Sequence, residues 1–184
     1  MNKKVLILLI LVVIIAGGAA WLLRDTKPES LFSTYDTDLD SIFFNMHFGM
    51  KKQAFYDTCW KLNKTGEFIQ GANNLSVQHE MKTEFGSPVY MNFYPSFSEK
   101  DELYQMPIEY NYHNWAPWNK QFYADSLIVQ IANKFEKDYN TKFKVSKTED
   151  GRPAYAAYDG TRKILLTTKD EQYVKAMIEN EKYK

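Results

Sequence analysis

The alternation of apolar and polar positions divides the chain beyond residue 41 into two stretches of similar order, each a helix followed by short strands. Ile42–Phe48 is apolar and is expected to enter the fold as a short strand or docked segment. Phe55, Cys59 and Leu62 then recur at helical spacing, which predicts a helix opening at Gly49-Met50-Lys51-Lys52 and stopping near Asn63 and Gly66. Glu67–Gln70 and Leu75–Lys82 flank Gly71-Ala72-Asn73-Asn74, a run of turn formers, so a hairpin is expected there. On its second strand His79 shares a face with Leu75, Val77 and Met81, the setting of a hydrogen-bonded core or edge histidine. Val89, Met91 and Phe93 alternate in a third strand. The longest alternation sets Tyr104, Met106, Ile108, Tyr110 and Tyr112 against Gln105, Glu109, Asn111 and His113. Pro107 within it points to an edge position or a bulge, because proline cannot donate to a ladder.

A second helix is expected to follow the connection Asn114-Trp115-Ala116-Pro117-Trp118-Asn119 and run to about Tyr139. Ala124, Leu127, Ile128, Ile131, Phe135 and Tyr139 form its core face. Strands then close the chain. Phe143 and Val145 alternate in one, Ala154–Tyr158 and Arg162–Thr168 flank the hairpin signal Asp159-Gly160, and Val174, Ala176 and Ile178 share a face in the last. The order predicts an α+β fold: a tandem helix-plus-antiparallel-β-meander domain, two helices packed on antiparallel sheet, with halves at about 42–113 and 114–184. Halves this small are expected to share one sheet. The apolar segment ending in Gly49-Met50, the short helix and the meander resemble the β-lactamase-inhibitor-protein-like fold and the small outer-membrane-assembly lipoproteins over Ile42–Lys82. That resemblance implies a binding protein rather than an enzyme. The second helix has no Gly-Met before it, and no lipid-acceptor cysteine is present, which departs from the lipoprotein pattern.

Ahead of all this stands Val5–Leu23, nineteen residues without a charge. As a helix it would span about 28 Å, near the roughly 30 Å of a bilayer core. Residues 1–24 therefore read as a single-pass transmembrane anchor, 25–41 as a tether and 42–184 as an exported domain. Lys3 and Lys4 before the run place the amino terminus on the cytoplasmic side and the domain outside, on the positive-inside rule. The alternative is a signal peptide cleaved at Gly18-Ala19-Ala20, giving a secreted or periplasmic product.

Charge changes the picture by exclusion. The chain has 23 basic and 23 acidic residues, with three of the basic ones at or before Arg24, so the domain is slightly acidic and carries no nucleic-acid footprint. A single cysteine, Cys59, leaves no internal disulfide, and its place on an apolar stripe suits a core residue better than a nucleophile. Asp36, Asp38 and Asp40 alternate like the start of a calcium loop, but Ser41 stands where its glycine belongs and His47 where its glutamate belongs. No metal or cofactor is expected.

Candidate chemistry reduces to two places. Glu109, Asn111 and His113 lie on one strand face, and Glu109 with His113 is the alternative reading of a tethered hydrolase. The favoured reading is a binding or scaffolding module for a protein or a cell-wall glycan. Tyr110, Tyr112, Trp115 and Trp118 are its aromatic candidates, since such side chains offer flat faces with polar tips.

Overall fold

A computed structural model describes residues 37–71, 76–82 and 84–184. One helical turn, Thr37–Asp40, precedes helix α1, Lys52–Lys64. Strands β1 (Ile69–Gln70), β2 (Val77–Met81), β3 (Val89–Phe93), β4 (Ser96–Phe97) and β5 (Leu103–Tyr112) follow. Helix α2 is Ala124–Asp138, and β6 (Lys144–Lys147), β7 (Pro153–Asp159), β8 (Arg162–Thr168) and β9 (Val174–Asn180) complete the chain.

All nine strands belong to one antiparallel sheet in the order β1-β2-β3-β5-β9-β8-β7-β6, with β4 paired to β5. The join is made by the last strand of each half: β5 pairs with β9 from Gln105↔Glu179 to Tyr110↔Val174. Pairing these two strands removes what would otherwise be two exposed edges.

This corrects the expected fold class. The described chain is built on one nine-stranded sheet with two helices longer than a single turn, rather than on an anchor followed by two helix-plus-meander halves. Among the described residues no helix is long and apolar enough to cross a membrane, so the single-pass, signal-anchor reading has no support. The expected span Val5–Leu23 lies outside the described residues. Pro107 is also corrected from edge to centre, because it pairs with Met177 of β9. On its other side the ladder jumps from Phe93↔Ile108 to Ser96↔Gln105, and this break accommodates a residue without an N–H.

Strand alternation buries one sheet face. Met106, Ile108, Tyr110 and Tyr112 of β5 meet Val174, Ala176 and Ile178 of β9 and Ile164 and Leu166 of β8, all buried. Helix α2 lays Leu127, Ile128, Ile131 and Phe135 over this face, the residues its spacing predicts, and packs on β5, β8 and β9. The strap from Ile42 to Met50 adds Met46, Phe48 and Met50 to the same core.

A buried polar cluster ties the strap to the end of the chain. Asp40 accepts hydrogen bonds from Asn180 Nδ2 at 2.9 Å and Tyr183 Oη at 2.7 Å, and Lys182 Nζ stands 3.5 Å from the same carboxylate. Tyr139 Oη donates to the Ile42 carbonyl, and burial pushes this phenol well above its ordinary range. The Arg162 guanidinium lies over the Tyr139 ring and donates to the Tyr139 carbonyl and to Asp159. These groups come from four stretches of the chain, residues 40–42, 139, 159–162 and 180–183, so the cluster closes the domain on itself.

Candidate functional site

The second sheet face is half-exposed, and its side chains fall into three rows that run across the strands. Register places Ala156, Leu165, Met177 and Pro107 side by side in an apolar middle row. One flanking row holds Thr167, Lys175, Glu109, Asn92 and Gln78; the other holds Tyr158, Lys163, Glu179, Gln105 and Ser96.

Both polar rows are bonded internally. Ser96 Oγ donates to Gln105, Gln105 Nε2 donates to Glu179 at 3.2 Å, and Lys163 Nζ pairs with Glu179 at 3.0 Å. Burial pulls the Glu179 carboxyl upward, but the Lys163 and Gln105 hydrogen bonds outweigh it and hold it below its ordinary value. In the other row Gln78 donates to Asn92, and Glu109 takes Lys169 at 3.2 Å, with Lys175 at 4.0 Å. The apolar row between them has no such partners. Leu165, Met177 and Pro107 of this row line a hollow of about 480 Å³ that also takes in Tyr94 and Ser76.

A second hollow of about 380 Å³ begins at those same two residues and continues over α1 and β1. Tyr56 and Trp60 stand one helical turn apart on the face of α1 next to its buried Phe55, and Ile69 lies on the edge strand β1. Trp60 is 62% exposed, and Tyr56, Ile69 and Tyr94 are also among the exposed large apolar side chains. Tyr56 Oη and Tyr94 Oη share a hydrogen bond of 2.9 Å, and this bond raises the Tyr94 phenol above its ordinary value. Cys59 lines the same hollow; burial pushes its thiol up to about 11, so it is no thiolate nucleophile at neutral pH. Together the two hollows make one groove that crosses β8, β9 and β5 and rises onto α1.

No protein-family model, no curated protein and no solved structure matches this chain.

The aromatic residues singled out from the sequence do not meet in one place. Tyr110 and Tyr112 are each 2% exposed on the core face, where Tyr110 packs on Phe135 and Tyr112 Oη accepts from Gln130 Nε2 at 2.7 Å. Trp115 packs against the core, and its buried indole N–H meets no acceptor among the described residues. Trp118 is 86% exposed on a loop pinned by the hydrogen bond from Tyr123 Oη to the Pro117 carbonyl.

Glu109 and His113 do lie on the open face, but four residues of strand separate them by about 13 Å. His113 pairs instead with Glu80 at 3.6 Å and stacks on Tyr90, while Asn111 Nδ2 bonds to the Tyr112 carbonyl. His79 sits edge-on to Phe44 and bonds to the Glu67 carbonyl. Tyr56, Trp60 and Tyr94, which the sequence reading passed over, had one available signal. Tyr56 and Trp60 fall one residue outside the predicted buried stripe Phe55–Cys59–Leu62, so they are aromatics on the polar side of an amphipathic helix.

Proposed function

We propose that the chain is a non-catalytic binding module that holds a partner, a protein segment or a glycan strand, along the groove of its open sheet face. One observation carries this reading: an apolar row left half-exposed between two polar rows, each of which is hydrogen-bonded within itself. The polar rows gain little from being covered, whereas the apolar row gains the hydrophobic free energy of full burial. Completing the burial of Leu165 and Met177 contributes on the order of 1 kcal/mol each, about half the value for a whole side chain. Exposed apolar patches framed by polar residues mark interaction sites. Catalysis by Glu109 with His113 has no support from geometry, since Glu109 is engaged with Lys169 and His113 with Glu80, on opposite sides of β5.

The test is site-directed photo-crosslinking in the cell of origin. A photo-reactive residue replacing Met177 should give a discrete adduct that a Leu165→Glu change abolishes. The same probe placed at Lys147, on the far edge strand β6, should give none. An adduct pattern that is identical at both positions, or indifferent to Leu165→Glu, refutes the reading.

A further inference from the structure

The α1 end of the groove has a chemistry of its own, and we infer that the hollow between Tyr56, Trp60 and Tyr94 is a subsite for a neutral saccharide ring. This rests on the groove being a binding surface and names what its α1 end takes.

Three properties of the hollow point there together. First, none of its lining residues carries a charge at neutral pH, although a quarter of the chain is charged. Second, its walls are exposed aromatics: Trp60, Tyr56 and Tyr94. Third, its hydrogen-bonding groups are amides and hydroxyls, those of Asn63, Gln70, Ser76 and the two phenols. A sugar ring presents an apolar C–H face with hydroxyls around its rim, so it meets an aromatic face and a ring of amides at once. The Lys64 ammonium stands 5.2 Å from the Trp60 ring centre, a cation–π contact that steadies the indole. At about 380 Å³ the hollow falls within the roughly 300–1,000 Å³ of small-molecule sites. The adjoining 480 Å³ hollow lets an oligosaccharide continue past Tyr94.

Competing occupants fit less well. Asn63 Nδ2 already donates to the Phe68 carbonyl and the two phenols bond to each other, but a purely apolar ligand would still cover the Gln70 amide and the Ser76 hydroxyl without pairing them, which costs about 1–3 kcal/mol for each group left unsatisfied. A peptide docking by strand addition needs a run of free backbone, and the adjacent edge strand β1 is only two residues long. A charged ligand finds no counter-charge in the lining.

The experiment is calorimetric titration of the full chain with neutral tetrasaccharides, namely chitotetraose, cellotetraose, xylotetraose and maltotetraose. At least one should bind saturably, with an affinity that changes less than twofold between 50 and 500 mM NaCl, because no ion pair is involved. Trp60→Ala and Tyr94→Ala should each weaken it tenfold or more, Tyr94→Phe less, and Trp118→Ala not at all. Trp60 and Tyr94 are exposed, so these variants should fold; unchanged far-ultraviolet circular dichroism checks that. Absence of binding by all four sugars, or binding indifferent to Trp60→Ala, overturns the saccharide assignment. If the Met177 crosslink and its dependence on Leu165 persist in that case, the binding-groove reading stands and the occupant is a protein. Loss of both removes both.

Discussion

Gly49→Ala should destabilise the domain far more than an ordinary glycine substitution, for two separable reasons. Gly49 has φ +77°, a left-handed conformation that costs an L-residue about 1–2 kcal/mol. A Cβ added there would also lie 2.5 Å from Tyr183 Cε1 and 3.0 Å from two further ring atoms. Neither side can retreat freely. The Gly49 N–H bonds to the Leu103 carbonyl at 2.8 Å and the Met50 carbonyl accepts from Leu103 at 2.9 Å, so β5 clamps this backbone. The ring is held in turn by its hydrogen bond to buried Asp40 and by Lys182 above it. Overpacking of this kind costs about 1–3 kcal/mol. The sum is about 2–5 kcal/mol, or a fall in Tm of roughly 5–15 °C at this domain size. Gly66→Ala isolates the first cost, because Gly66 has φ +75° and nothing within 4 Å of its Cβ direction. Urea unfolding followed by tryptophan fluorescence would measure both, together with Tyr183→Ala and the Gly49→Ala/Tyr183→Ala double variant. The cycle should return a coupling of about 1–3 kcal/mol in favour of the double variant, since removing the ring relieves the overlap but not the backbone strain. Equal costs for Gly49→Ala and Gly66→Ala, or no coupling to Tyr183, would refute the wedge.

Asp40→Ala leaves the buried donor Asn180 Nδ2 and the partly buried Tyr183 Oη without their acceptor; a loss of about 3 kcal/mol in urea unfolding is expected. Glu179 has a depressed pKa in the folded state, so the unfolded chain binds the extra proton first; its stabilising contribution is present above the ordinary carboxylate pKa and is lost as pH falls through the folded value. Glu179→Gln should therefore flatten the acid limb of stability against pH, and an unchanged limb would show that the Lys163 ladder contributes nothing. Trp118→Ala, on an almost fully exposed side chain, should change stability by less than about 0.5 kcal/mol; a larger loss would place that indole against the fold.

Much of the local structure was legible because apolar period reports which side of an element is buried. The period of 3.6 located α2 and its buried face down to Leu127, Ile128, Ile131 and Phe135. The period of 2 in β5 separated Met106 and Ile108 from Glu109. That same period already placed Tyr110 and Tyr112 beside Met106 on the apolar side, so their nearness to Trp115 in sequence was the weaker guide. Neighbours across the sheet were not legible. Alternation gives each strand a face but not a partner, and nothing in the sequence marks that β5 pairs with β9 and so merges two meanders. Pro107 misled for the same reason. Its missing N–H matters only on one flank, and the break between Phe93 and Ser96 that accommodates it is visible only once the register is known. The groove depended on that register too, since Leu165, Met177 and Pro107 become one row only when three strands are aligned.

The composition of that row is itself an argument for contact. Solvated strand faces are ordinarily served by threonine, lysine and glutamine, as in the two rows that flank it. A central strand is a poor place for proline, and a half-exposed sheet face is a poor place for leucine and methionine. Three such choices stand side by side on different strands, and the row leads to a tyrosine pair and an exposed tryptophan contributed by another element. Local rules of stability explain most of the rest of the sheet, the exposed Val145 and Tyr158 toward its β6 edge excepted. Where they fail at adjacent positions contributed by separate stretches of sequence, a surface shaped for contact is one common cause, and it is the cause on which the proposed binding function rests.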